Sequence, residues 1–310
     1  MDKPLWAWAI FFAVVLVLLV LDLGLLHKKQ REISVRESMA MSGFYILMAV
    51  LFGKWVWWSM GGQAAIEFYT GFLIEKSLSI DNIFVISIIF TYFSIPRIYQ
   101  HRVLFWGILG VILLRGVMIG VGAAMLQRYS WVLYIFGVFL VLTGIKMIFT
   151  PDKEHDIEKN PILIYLKTYL RVTPQLHGQK FWIKIDKVWH ATPLLLALIL
   201  IEFADVVFAV DSVPAVFAVT LDPYIVYTSN VFAILGLRAL YFALAAILYR
   251  FEYLKYSLAF VLIFIGGKIF YSELFQKIPA SISLGVTIGI LSLGIIYSLW
   301  KTRRQERVKT

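Results

Sequence analysis

Five carboxylic acids stand in stretches of this sequence that otherwise carry few ionisable groups: Glu75 and Asp81 in one, Glu202, Asp205 and Asp211 in the other. Asn82 follows Asp81 and Ser212 follows Asp211, so both stretches read as an acid, five residues, an aspartate and a small polar side chain. Carboxylate, amide and hydroxyl oxygens suit hard cations such as Mg²⁺, Ca²⁺ and Mn²⁺, and several negative ligands favour a divalent ion over Na⁺. The chain has no cysteine, and His27, His101, His155, His177 and His190 all fall in connecting segments or at the edges of apolar runs. Zinc and copper sites, which draw on thiolate and imidazole, are therefore poor matches. Carboxylates can also carry protons as counter-ions, which leaves proton coupling open. The competing use of such acids is structural ion pairing. Arg115 and Arg238 stand inside apolar runs as candidate counter-charges, with Lys76, Lys146 and Lys268 as further ones. Lys146 and Lys268 should snorkel to opposite edges of the bilayer. Asp22 reads either as a peripheral ligand or as an acid satisfied at a helix end.

The elements that must position these groups are membrane helices. The 310 residues are 61% hydrophobic and 15% charged, against roughly 25% charged in a soluble domain. Runs of about 20 apolar residues recur, the length that crosses a bilayer as a helix. The expected fold is an all-α polytopic membrane protein of about nine spans, near 5–26, 40–59, 68–94, 103–126, 131–149, 191–219, 225–248, 256–271 and 281–300. The net charge of +10 does not call for nucleic acid, because the basic residues gather between the spans. Lys28, Lys29, Arg31 and Arg36, then Arg97 and Arg102, the lysines of 150–190 and the basic tail from Lys301 all fall on one side. The positive-inside rule then sets the N-terminus outside and the C-terminus in the cytoplasm. The first run, Leu5–Leu26, is interrupted by Asp22 and followed by a basic segment rather than a small-residue cleavage site, unlike a cleaved signal peptide.

An internal repeat organises the spans. The acid elements at 75–82 and 205–212 are each followed by a Gly-bearing run with an arginine: Gly107-Ile-Leu-Gly110 with Arg115, and Ala233-Ile-Leu-Gly236 with Arg238. Next in each half comes a Gly-x-Lys, Gly144-Ile-Lys146 and Gly266-Gly-Lys268. Each unit holds three spans, so the two copies should cross in opposite directions, as in secondary transporters with a midplane substrate site. The expected organisation is 1–65 as two N-terminal helices, 66–150 and 191–273 as the inverted repeats, 151–190 as a cytoplasmic loop with a short surface helix, and 274–310 as the last helix and basic tail.

A carboxylate at the bilayer centre costs at least ~2.5 kcal/mol, so five of them imply a polar cavity, counter-charges or a bound cation. Glu202 and Asp205 share a helix face. Asp205 and Asp211, six apart, lie about 120° out of register on a regular helix. Aiming all the acids at one point requires local unwinding, and Pro214 is the residue placed to provide it.

The segments Gly71-Phe-Leu-Ile-Glu75-Lys76-Ser-Leu-Ser-Ile-Asp81-Asn82-Ile-Phe-Val, Glu202-Phe-Ala-Asp205-Val-Val-Phe-Ala-Val-Asp211-Ser212-Val-Pro214-Ala and Thr228-Ser-Asn230-Val-Phe-Ala-Ile-Leu-Gly236-Leu-Arg238-Ala resemble the TerC family, named for tellurite resistance, and most closely its Alx-like branch. The resemblance implies a bacterial inner-membrane protein linked to manganese export and to metal supply for exported proteins. It carries the metal role to Glu75, Asp81, Glu202, Asp205 and Asp211, and it is the main reason to place Mn²⁺ ahead of Ca²⁺. Tellurite, an oxyanion, would be repelled by these acids. The alternative is a membrane scaffold assisting other proteins, in which the acids serve only ion pairs. No nucleophile stands beside a base, which argues against an enzyme. A redox role would lack both cysteines and a cofactor motif. Expected partners are the bilayer, a divalent ion and possible copies of the chain or other membrane proteins.

Overall fold

The structure, a computed structural model, describes residues 4–24, 34–129, 131–149, 161–244, 254–275 and 278–309; the side chains of Asp22 and Asp81 lie outside the described set. Its helices are α1 (Leu5–Gly24), α2 (Val35–Met60), α3 (Gly62–Tyr92), α4 (Arg97–Arg128), α5 (Val132–Phe149), α6 (Pro161–Tyr169), α7 (Pro193–Phe217), α8 (Pro223–Leu235), α9 (Leu237–Leu244), α10 (Leu254–Leu274) and α11 (Ala280–Lys309). Among the described residues, seven segments are long and apolar enough to cross a membrane: α2, α4, α5, α7, α8 with α9, α10 and α11. The remaining two of the nine expected spans are helical but fall short of that measure. The described side chains of α1 form the apolar stretch Leu5–Leu21, and α3 dilutes its 31 residues with Glu67, Glu75, Lys76 and Asp81.

Local chemistry accounts for the helix ends. Ser34 caps α2 by accepting from the Glu37 N–H at 3.2 Å, and Asp222 caps α8 by accepting from the Tyr224 N–H at 3.0 Å. Pro193 and Pro223 open α7 and α8, at first-turn positions where the missing N–H has no helical partner to lose. Gly61 alone separates α2 from α3, at φ 93, a left-handed conformation that a residue with a Cβ adopts only under strain.

The expected break at Pro214 is not present. α7 runs continuously through Pro214 to Phe217, and α3 is likewise one helix. No break is needed, because the acids of α7 face different neighbours, as described below. The chain interrupts itself instead at Gly236, between α8 and α9. Lys76 reaches this point from α3 and donates to the Ala233 carbonyl at 3.1 Å, in the last turn of α8. A cation is favoured there by the helix dipole. A Cβ at residue 236 would lie 2.8 Å from the Lys76 Nζ, so the glycine makes room for the ammonium group.

α8 and α9 form the centre of the bundle, with 89% of their span buried against 22% for α5. α3, α4 and α2 pack around them. On one side Phe52, Phe68, Phe11 and Phe232 interlock, with Phe52 and Phe232 centroids 4.6 Å apart.

Among the described residues, α5 and α10 form the most extensive helix pair. A Cβ at Gly144 would sit 2.7 Å from the Ala259 carbonyl oxygen, and one at Gly266 2.7 Å from the Gly137 carbonyl oxygen. The two Gly-x-Lys elements thus meet across one seam, each glycine against the other helix's backbone, in the manner of small-residue membrane packing. Gly144→Ala is expected to destabilise the protein by about 1–3 kcal/mol, because backbone cannot yield as a side-chain tip can; thermal unfolding in detergent measures it.

The 151–190 connection departs from an all-α fold. After α6, strands β1 (Trp182–Ile185) and β2 (Val188–Ala191) pair antiparallel, with Trp182 opposite Ala191 and Ile185 opposite Val188. Asp186 and Lys187 turn the hairpin at φ 48 and 66, the left-handed pair of a two-residue turn. That turn usually carries Asn-Gly or Asp-Gly, so Asp-Lys gave no signal.

Candidate functional site

The site is built on a spacing of seven. Glu75 and Asn82 on α3, and Asp205 and Ser212 on α7, are each seven residues apart. Seven residues make almost two full turns, so each pair shares one helix face. Between these faces α4 inserts Arg115 and α8 brings Asn230. Glu75 and Arg115 are each 1% exposed, Asn82 and Asp205 5%, Ser212 2% and Asn230 0%.

Arg115 is the hub. Its Nη1 donates to Ser212 Oγ at 2.7 Å, Asn230 Oδ1 at 2.8 Å and Glu75 Oε2 at 2.9 Å. Its Nη2 lies 2.9 Å from Glu75 Oε1 and its Nε 3.5 Å from Asp205 Oδ2. The Nη2 contact is an ion pair without hydrogen-bond alignment, since among the described residues neither Nη2 nor Nε has a hydrogen-bond partner. Asn82 Nδ2 donates to Asp205 Oδ1 at 3.0 Å, and Asn230 Nδ2 donates to the Val226 carbonyl at 2.8 Å, which leaves its oxygen for the guanidinium. Two carboxylates therefore share one guanidinium at the meeting of α3, α4, α7 and α8. Beside them Asn82 Oδ1 is buried, with no hydrogen-bond partner among the described residues.

The other sequence-predicted residues are distributed around this hub. Glu202, one turn before Asp205, also faces α4. Its carboxylate lies directly against Gly110, where a Cβ would collide with it, and Gly107 is alongside. Glu202 Oε2 is buried, with no hydrogen-bond partner among the described residues. Asp211 faces elsewhere, toward α5, where the Thr143 hydroxyl lies 3.4 Å from its Oδ1. Asp205 and Asp211 thus diverge as a regular helix requires. Arg238 Nη1 lies 3.0 Å from His101 Nε2. Lys268 Nζ is 3.4 Å from Ser283 Oγ of α11, and Lys146 is exposed at the end of α5. Among the described residues, no three acidic or histidine side chains come together in a group that could hold a metal ion. Asn230 and His101 are the partners that residue spacing did not reveal. Asn230 left one trace, an amide directly before the apolar run that starts at Val231.

A guanidinium shared between carboxylates within a bundle of long apolar helices defines a multi-pass integral membrane protein with a charged interior. The chain belongs to the TerC family of integral membrane proteins, whose family model matches residues 60–306. It is 53% identical over 301 residues to a membrane protein of Rickettsia bellii, covering 97% of this chain and 99% of that one. A membrane protein of Myxococcus xanthus is 46% identical, covering 96% of this chain and 92% of the relative. A relative in Photorhabdus laumondii is 43% identical over 94% of both chains, and its name, Alx, describes it provisionally as a membrane-bound redox modulator. No solved structure matches the chain.

Proposed function

We propose that this protein exports divalent metal ions, Mn²⁺ foremost, across the bacterial inner membrane, with nine spans, two inverted three-helix repeats, the N-terminus outside and the C-terminus in the cytoplasm. The observation that carries this reading is the shared guanidinium: Glu75 and Asp205 bring two negative charges to the single positive charge of Arg115. The surplus charge attracts a cation, and the surrounding Asn82, Ser212 and Asn230 oxygens are the hard donors such an ion prefers. Arg115 then acts as an internal substitute for the cargo. It neutralises the acids when no ion is bound and must yield some of their oxygens when one enters. Glu202 and Asp211 supply acidic stations to either side, and proton uptake by a vacated carboxylate offers a route to exchange.

Purified protein in proteoliposomes, given Mn²⁺, Ca²⁺ and Mg²⁺ in parallel at two pH values, tests the reading. Saturable Mn²⁺ flux that responds to a pH gradient is expected. Absence of flux for all three ions would remove it. A second reading, a membrane scaffold or redox accessory, draws on the name of the Alx relatives and on the pairing of Arg115 with Glu75. With no cysteine, thiol chemistry would have to come from a partner. Full function with all five acids neutralised would favour this second reading.

A further inference from the structure

A cavity of about 20 Å³ lies beside the Arg115 network, between α4 and α7. α4 lines it with Leu104, Gly107 and Val111, and α7 with Ile201, Ala204 and Phe208. Both sets follow the i, i+3, i+7 spacing of one helix face. Gly107 and Ala204 add little bulk, and a Cβ at residue 107 would meet Glu202 Oε1 at an ordinary 3.7 Å. Asn82 and Asp205 line the same space. Asn82 is 5% exposed, and its Oδ1 has no hydrogen-bond partner among the described residues. The volume admits one water molecule, which needs roughly 10–15 Å³ and polar partners; Asn82 Oδ1 and the Asp205 carboxylate supply them. Glu202, whose Oε2 is buried and likewise has no partner among the described residues, stands beside the same Gly107.

The cavity lies to one end of the Arg115 hub on every helix that lines it. It falls after Glu75 on α3 and after Asn230 along α8 and α9, but before Arg115 on α4 and before Ser212 on α7. These stretches converge at the end of the bundle where Phe90, Leu104, Leu194 and Tyr241 share one apolar cluster. The β1–β2 hairpin leads into α7 at that end. Beyond the hub in the other direction the same helices are packed shut. A Cβ at Gly71 of α3 would lie 2.7 Å from Ser229 Oγ of α8 and 3.0 Å from Val216 of α7, and one at Gly122 of α4 would lie 2.9 Å from Phe217 of α7. Ser229, Val216 and Phe217 are all buried. Polar groups at membrane depth are tolerated where they line a water-holding space, and here that space exists on one side of the hub.

We propose that this cavity is the inner end of the path by which a hydrated divalent cation reaches the Arg115 network, entered from the hairpin end, with Gly107 and Ala204 keeping it open. Movement of α4 against α7 widens it. The cargo class rests on the export reading, whereas the existence and the side of the entrance do not.

The chain has no cysteine, so single introduced thiols report the path directly. Ala204→Cys in the cavity wall, Ser229→Cys on the sealed side and Lys187→Cys in the exposed hairpin turn are each treated in membrane vesicles, one face at a time, with a membrane-impermeant cationic methanethiosulfonate. Unreacted thiol is then measured after denaturation. The reagent is larger than the cavity, so its arrival reports opening, and Lys187→Cys marks the face that the hairpin occupies. Ala204→Cys is expected to react from that same face, at least tenfold faster than from the other face and at least tenfold faster than Ser229→Cys. Adding Gly107→Leu, which fills the space, should slow it at least tenfold. Circular dichroism and elution volume establish that the variants are folded. Entry from the opposite face, equal rates at residues 204 and 229, a rate indifferent to Gly107→Leu, or an Ala204→Cys thiol that reacts only after denaturation would overturn the proposal. Mn²⁺ should protect Ala204→Cys. Sided reaction that no divalent ion slows would keep the entrance and count against the metal reading.

Discussion

Replacing Arg115 with leucine is expected to cost about 3–5 kcal/mol of stability, the penalty for leaving buried charge without its partner, and with it most of the folded yield. Glu75, 1% exposed, would lose the guanidinium that pairs with it, and among the described residues Asp205 would keep the Asn82 amide. Ser212 and Asn230 would lose their donor as well. The triple variant Arg115→Leu, Glu75→Gln, Asp205→Asn should recover a large part of that loss, because an uncharged cluster of similar volume is often as stable as the pair it replaces. Unfolding in detergent, followed by circular dichroism for both variants, measures the difference. If the single and triple variants are equally unstable, the packing of the arginine stem, not its charge, is what matters.

Asp205→Asn separates the functional use of the network from the structural one. Asparagine keeps the shape of the aspartate, and Arg115 retains Glu75, so the expected change in stability is well below that of Arg115→Leu. The excess negative charge is removed, however, because one carboxylate then faces one guanidinium. Under the export reading, Mn²⁺ flux in proteoliposomes should fall more than tenfold while thermal unfolding moves little. Flux that survives with Asp205→Asn and disappears with Asp211→Asn would shift the ion path toward the α5 side of α7, where Thr143 stands. Flux indifferent to both would count for the scaffold reading.

Much of this architecture was legible in the chain, for physical reasons. Long apolar runs announce helices that must sit in lipid, and acids within them are too costly to be incidental. The two matched elements at 75–82 and 205–212 do reach a common centre. The side chain that joins each first acid on the face turned to Arg115, however, is the one seven residues on. Reading acid and aspartate as a pair led to an expected unwinding at Pro214. Reading acid with Asn82 or Ser212 requires only an ordinary helix, which is what α3 and α7 are.

The repeated Gly-x-Lys elements were visible too, but their purpose was divided in a way that spacing does not show. The glycines close the α5–α10 seam, while Lys146 is exposed and Lys268 turns to Ser283. Arg115 and Arg238 look equivalent in sequence, yet spacing did not reveal that Arg115 would meet Asn230 as well as Glu75, or that Arg238 would lie against His101. Which buried cation meets which acceptor depends on helix rotation over long chain separations, and composition carries no trace of that.

The Nη1 of Arg115 has two hydrogens and three acceptors within 2.9 Å. A donor so oversupplied has no unique bonding pattern: its hydrogens can be shared among Ser212, Asn230 and Glu75 in several nearly equivalent ways. Withdrawing one oxygen still leaves both hydrogens satisfied, so the network tolerates the loss of any single acceptor around that nitrogen. Its weak point is the lone hub, where redundancy ends, because every one of those oxygens leans on the same side chain.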